Sequence, residues 1–290
     1  KEREKRAEEA NRKNESFNIF QRCFMIIDFH THCFPDRIAQ RAIEQLKAES
    51  PGLENHTDGT LSDTFSKMEE WGVSKFVVQN IATNPRQQTN VNNFAIENDG
   101  GRCVMFGSVH PKAENALEEL ERIKEGGLKG VKLHCEYQEF FVDDPAMFPI
   151  YDAIRELGLI LMFHGGTDIA FEGGLVRCAP ARVAKVAGSF PGIKMVVAHL
   201  GGYREYGQTI EHLIGKPIYF DTSTAECFFD RGQAERLIKL HGEEYLLFGS
   251  DCPWADAGEA ARFIDSLDIP SSRKDAILYK NALYLLGENP

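Results

Sequence analysis

From Phe24 onward the chain alternates between two hydrophobic patterns. The first is a short, nearly continuous apolar run: FMIIDF, KFVVQN, RCVMFGSV, GLKGVKLH, LILMFH, IKMVVAH, PIYFDT and YLLFGS. Such runs predict strands, and their lack of polar alternation predicts that both faces are covered, as in a parallel sheet. The second pattern repeats apolar residues every three or four positions. It occurs in RIAQRAIEQLKAE, LSDTFSKMEEWG, NALEELERIKEG, MFPIYDAIRELG and ARVAKVAGSF, and again in AERLIKLHG, GEAARFIDSL and SSRKDAILYKNALYLLG. Those spacings predict amphipathic helices. Gly72, Gly158 and Gly242 stand where a helix end wants a left-handed residue.

Eight strands with helices between them, in a span of about 250 residues, predict an α/β fold closed into a (β/α)8 TIM barrel. An open doubly wound sheet is the competing architecture, and no GxGxxG follows the first strand to support it. No linker or longer repeat interrupts the pattern, so residues 25–290 are expected to form a single domain. Residues 1–24 break it. KEREKRAEEANRKNESFN carries mixed charge and too little apolar surface to fold alone. It predicts a polar N-terminal extension, disordered or helical, with Met25 a natural first residue of the barrel.

Composition then narrows the partners. Of 290 residues, 42% are hydrophobic and 27% charged, the balance of a globular protein with ample core. The net charge of −11 argues against a nucleic-acid or anionic-membrane surface, since both need basic patches. Seven cysteines without CxxC spacing, and no signal peptide, predict reduced thiols and a cytoplasmic location. No apolar run approaches the roughly 20 residues that span a bilayer. The expected partner is a small-molecule substrate, and a homodimer stays open.

Candidate chemistry lies at the strand ends, where a barrel places its functional groups. His30 and His32 close the first strand on one face, and Lys132 and His134 close the fourth. His164, His199 and Asp251 end the fifth, sixth and eighth. Five of the nine histidines thus fall at predicted strand ends. A divalent ion needs three or four convergent N/O ligands and an open position. His30 and His32 supply two from one rigid strand, and His164 and Asp251 complete the shell. Taken singly, each has a plainer reading: His164 as a core histidine, Asp251 as a turn or cap residue. Trp254, just past Asp251, is a candidate pocket wall, and Arg204 in GGYR a candidate substrate contact.

The segments HTHCFPD, GVKLH, FHGG, VVAHLGG and FGSDCPW, in that order, resemble the amidohydrolase superfamily of metal-dependent barrels. Within it they are most similar to the amidohydrolase-related branch that includes aminocarboxymuconate-semialdehyde decarboxylase. The resemblance implies that His30, His32, His164 and Asp251 bind one divalent ion, Zn2+ foremost, with Mn2+ or Fe2+ as alternatives. It implies that His199 polarises the substrate or moves a proton, and that Asp251 doubles as a base. Lys132 is either a carboxylated lysine bridging two metals or a plain cation for a substrate carboxylate. His134 is expected to contact substrate. Decarboxylases of this branch run longer and carry an extra arginine near the mouth, where this sequence offers only Arg86 and Arg204. The expected reaction is therefore hydrolysis of an amide, lactone or similar carbonyl bond by metal-activated water, with non-oxidative decarboxylation of an aromatic or enolic acid as the alternative.

Overall fold

The computed structural model describes residues 25–50 and 52–289. The expected extension over residues 1–24 lies outside the described residues. Each of the eight apolar runs forms a strand: β1 (Ile27–Thr31), β2 (Lys75–Gln79), β3 (Cys103–Phe106), β4 (Gly130–Leu133), β5 (Ile160–Phe163), β6 (Lys194–Val197), β7 (Tyr219–Asp221) and β8 (Leu246–Leu247). Neighbours pair in parallel in two runs, β1-β2-β3 and β4-β5-β6-β7-β8. A few backbone hydrogen bonds at each junction join the runs into a ring. Lys132 N–H donates to Gly107 O at 2.9 Å between β4 and the end of β3, and Phe29 N–H donates to Phe248 O at 2.8 Å between β1 and the end of β8. The expected closed barrel, a single domain, is the fold.

Two apolar layers hold it together. Ile27, Phe29, Val77, Phe106, Ile160, Met162, Val196 and Leu247 pack with one another, although they come from six strands. Only the barrel interior brings that many strands within reach, and Leu283, Leu285 and Leu286 of the last helix join the same cluster. The outer layer packs residues such as Leu120, Ile123, Tyr151, Ile154 and Val183 of the helices against Val131, Leu133 and Leu161 of the strands. Continuous apolar strands are the consequence of these two layers.

The helices follow the predicted spacing, with departures. Gln88–Asn98 forms a helix that the pattern did not announce, because QTNVNNFAIEN carries few apolar residues. The final run is helical but passes through a π turn at Ala276–Lys280. Gly72 and Gly158 take the left-handed conformation, whereas Gly242 does not: its φ is −57°, and the helix Arg231–Leu240 ends on an extended His241. No helix among the described residues is long and apolar enough to cross a membrane. The strand ends open into a cavity of about 930 Å³.

Candidate metal centre

His30 is buried at the end of β1, where the strand register shifts between Asp28 and Thr31. Such a bulge re-aims side chains without breaking the strand. Its Nε2 lies 3.2 Å from His32 Nε2, and both nitrogens lie 3.2 Å from Asp251 Oδ1. Asp251 reaches them from a left-handed backbone at φ 75°, its N–H donating to His30 O at 2.8 Å.

The protons on these rings follow from their outer partners. His30 Nδ1 donates to the buried Asp221 Oδ2 at 2.8 Å, and His32 Nδ1 donates to the Gln79 backbone carbonyl at 2.9 Å. Neither partner has a proton to give, so each neutral ring carries its hydrogen on Nδ1 and a lone pair on Nε2. Two lone pairs and a carboxylate oxygen therefore meet with mutual separations of 3.2 Å. Three acceptors repel at that range unless a cation lies among them. Metal–nitrogen bonds near 2.0–2.1 Å in a tetrahedral shell would place ligand atoms about 3.3 Å apart. The donor set fits a divalent ion.

A second cluster, His134, His164 and Asp168, has comparable spacing but different protons. His134 Nδ1 accepts from Tyr137 N–H at 3.4 Å, which leaves Nε2–H to donate to Asp168 Oδ2 at 3.2 Å. Within it, His134 and Asp168 satisfy each other by this hydrogen bond. His164 Nε2 lies 3.2 Å from Thr167 O. His164, expected as a ligand of the first group, is grouped here by spacing; its Nδ1–H donates to His199 Nε2 at 3.1 Å across the same cavity, which leaves a lone pair on its Nε2.

Electrostatics sharpen the contrast. Burial and the nearby Lys132 push the His30 imidazole down to about 4, so it resists protonation. Burial also pushes Lys132 down to about 8; its Nζ lies 3.4 Å from His30 Nε2. Burial alone would raise Asp251, but the surrounding His30, His32 and His199 hold its carboxyl well below the usual range. His199 and Thr224, like Asp251, line the cavity from left-handed backbone, at φ 58° and 57°. Non-glycine residues held there cost roughly 1–3 kcal/mol each and gather at functional sites.

Of the expected substrate contacts, Lys132, His134 and Trp254 line the cavity. Arg204 does not: it pairs with Glu172 at 2.8 Å, lies over the Tyr203 ring and is half exposed. Arg86 is also absent from the wall. Two arginines that the sequence left unconsidered, Arg37 and Arg41, line it from one face of the helix Asp36–Glu49. Asp221 was missed as well, although it ends β7 as the histidines end their strands. Asp168 sits in a loop whose sequence carries no periodic signal.

The family model for amidohydrolases matches residues 27–287. The chain is 26% identical to 2-amino-3-carboxymuconate-6-semialdehyde decarboxylase of Dictyostelium discoideum, over 65% of this chain and 62% of that protein. It thus spans less than two thirds of that relative's length. Among solved structures, 5-carboxyvanillate decarboxylase of Sphingomonas paucimobilis superposes with a TM-score of 0.67 at 18% identity, over 92% of this chain and 100% of that one. The 5-carboxyvanillate decarboxylase of Novosphingobium aromaticivorans, with bound manganese and 3-methoxy-4-hydroxy-5-nitrobenzoic acid, gives 0.66 at 14% identity, over 91% and 97%. These decarboxylases overturn the expected hydrolysis. The preference for it rested on chain length and on missing arginines, and Arg37 and Arg41 remove the second ground. With strand-end motifs, barrel and family model in agreement, the chain belongs to the amidohydrolase family.

Proposed function

We propose that the chain is a metal-dependent carboxy-lyase that releases carbon dioxide from a small aromatic or enolic acid without oxidation. The observation that carries the reaction type is the likeness to the Dictyostelium decarboxylase. The acceptor-only triangle of His30, His32 and Asp251 supports its metal dependence, and we include His164 as the fourth ligand. A divalent ion held there, Zn2+ or Mn2+, supplies a Lewis acid for a substrate oxygen.

The chain's own groups do the rest. Lys132 at the cavity floor and Arg37 and Arg41 on its wall offer cations to substrate carboxylates. His134, held by Asp168, meets the substrate edge, and Trp254 walls the ring. The bond to the carboxylate breaks, its electron pair stays on the ring or enol carbon, and that carbon takes a proton. His199, whose Nδ1–H is engaged on the far side, takes up a solvent proton at Nε2 and delivers it.

The test is a panel of hydroxybenzoates and enolic acids given to protein loaded with Mn2+ or Zn2+. Carbon dioxide is expected from at least one member, with solvent deuterium at the vacated carbon. Release of carbon dioxide without deuterium at that carbon would remove His199 from its role. A panel that yields no carbon dioxide overturns the reading.

A further inference from the structure

The carboxylate of Asp221 is fully buried and touches both halves of the site. Its Oδ2 accepts the Nδ1 proton of His30 at 2.8 Å. Its Oδ1 accepts from His199 N–H at 2.9 Å, Ser223 N–H at 3.1 Å and the Ser223 hydroxyl at 2.5 Å. Because that hydroxyl gives its only hydrogen to Asp221, its oxygen is an acceptor toward His199 Nδ1, 2.9 Å away. The Thr224 hydroxyl, 3.2 Å from the same nitrogen, is likewise committed, donating to Ser223 O at 2.7 Å.

We propose that Asp221 is a two-ended positioning residue. Through Oδ2 it fixes His30 with a lone pair on Nε2, and through Oδ1 and Ser223 it fixes His199 with a lone pair on Nε2. One carboxylate thereby sets the ring that faces the ion and the ring that moves the proton. This rests on the metal-ligand role of His30 and the proton-transfer role of His199 given above.

The two ends can be cut separately. Asp221→Asn replaces one oxygen by an N–H donor. The Oδ1 position takes three donors and the Oδ2 position one, so the amide oxygen stays at Oδ1 and the new N–H faces His30 Nδ1. His30 must then accept at Nδ1 and carry its hydrogen on Nε2, where it cannot ligate. Ser223→Ala leaves that end intact and removes the anchored acceptor from His199.

The experiment records nitrogen-15 spectra of histidine-labelled, metal-free protein at mildly alkaline pH, together with Mn2+ titrations. Resonances are assigned by single-histidine variants. Wild type is expected to show both rings as Nδ1–H tautomers. Asp221→Asn is expected to convert His30 alone and to weaken Mn2+ binding about 10–100-fold. Ser223→Ala is expected to make His199 alone a tautomer mixture and to leave Mn2+ binding unchanged. Retention of the His30 Nδ1–H signal in Asp221→Asn overturns the proposal. So does a Ser223→Ala protein in which His199 is unmoved or His30 shifts, a result available even if Asp221→Asn does not fold. A purely structural Asp221 would lower the melting temperature without exchanging tautomers. Failure of the carboxy-lyase reading would appear as missing carbon dioxide and would leave these spectra untouched.

Discussion

His199 sits at φ 58°, and its backbone N–H, its Nδ1 and its Nε2 are engaged by three different groups. A ring so constrained has one edge left for chemistry. His199→Asn is expected to leave metal content and folding intact while lowering turnover by about 10²–10⁴-fold, the usual share of a proton-transfer group. Metal analysis beside single-turnover rates checks this, and loss of the ion in the variant would make His199 a ligand instead. At this scale the sequence was legible at the strand ends His30, His32 and Asp251, but not at Asp221, which ends β7 in the same way. It was not legible for Asp168, which meets His134 only because a loop folds back. Arg204 misled because GGYR adjoins a strand end, yet its left-handed backbone at φ 61° goes with a side chain turned to Glu172.

Among elements, a tight junction lies where the end of β8 passes β1. A Cβ added at Gly249 would lie 2.9 Å from His30 Cβ and 3.3 Å from Asp221 Cβ, so any side chain there would press on both groups of the metal side. Gly249→Ala is expected to cost about 1–3 kcal/mol of stability by overpacking and to weaken metal binding with it. Gly188, inside the helix Pro180–Ser189, has nothing within 4 Å of an added Cβ. Gly188→Ala should raise stability by about 0.4–1 kcal/mol. Denaturant midpoints for the pair decide the point, and equal effects would mean that the crowding beside His30 is relieved by backbone movement. The strands were readable because two packed layers demand continuous apolar runs. The helix Gln88–Asn98 was not, since its buried face includes the polar Gln88 and Asn92, which are paired through Asn115, Ser108 and Glu119 rather than by apolar contact.

Over the whole molecule, the barrel gathers charge that would destabilise it anywhere else. His30 and Asp251, with His32 beside them, converge as acceptors, and the desolvated Lys132 is the cation nearest to His30. Sequence spacing locates these groups but does not reveal which protons they carry, because the tautomers depend on Asp221 and on the Gln79 carbonyl from other strands. It also pointed to hydrolysis, which the decarboxylase relatives overturn, since the same strand-end motifs suit both reactions. The metal-free fold retains the repulsion, so an ion that binds the native triangle and not the unfolded chain must stabilise the barrel by mass action. At a free ion concentration a hundred times the dissociation constant the gain is about 2.7 kcal/mol. For a domain of this size that amounts to roughly 5–10 °C in melting temperature. Calorimetric scans after chelation and after graded addition of Mn2+ or Zn2+ should rise with the logarithm of free metal and saturate the site at one equivalent per chain. Asp251→Asn should flatten the rise, because it replaces the only charged ligand. Two equivalents would bring back a carboxylated Lys132 bridging a metal pair, and a melting temperature indifferent to metal would mean that the three acceptors at 3.2 Å are reconciled by a proton instead.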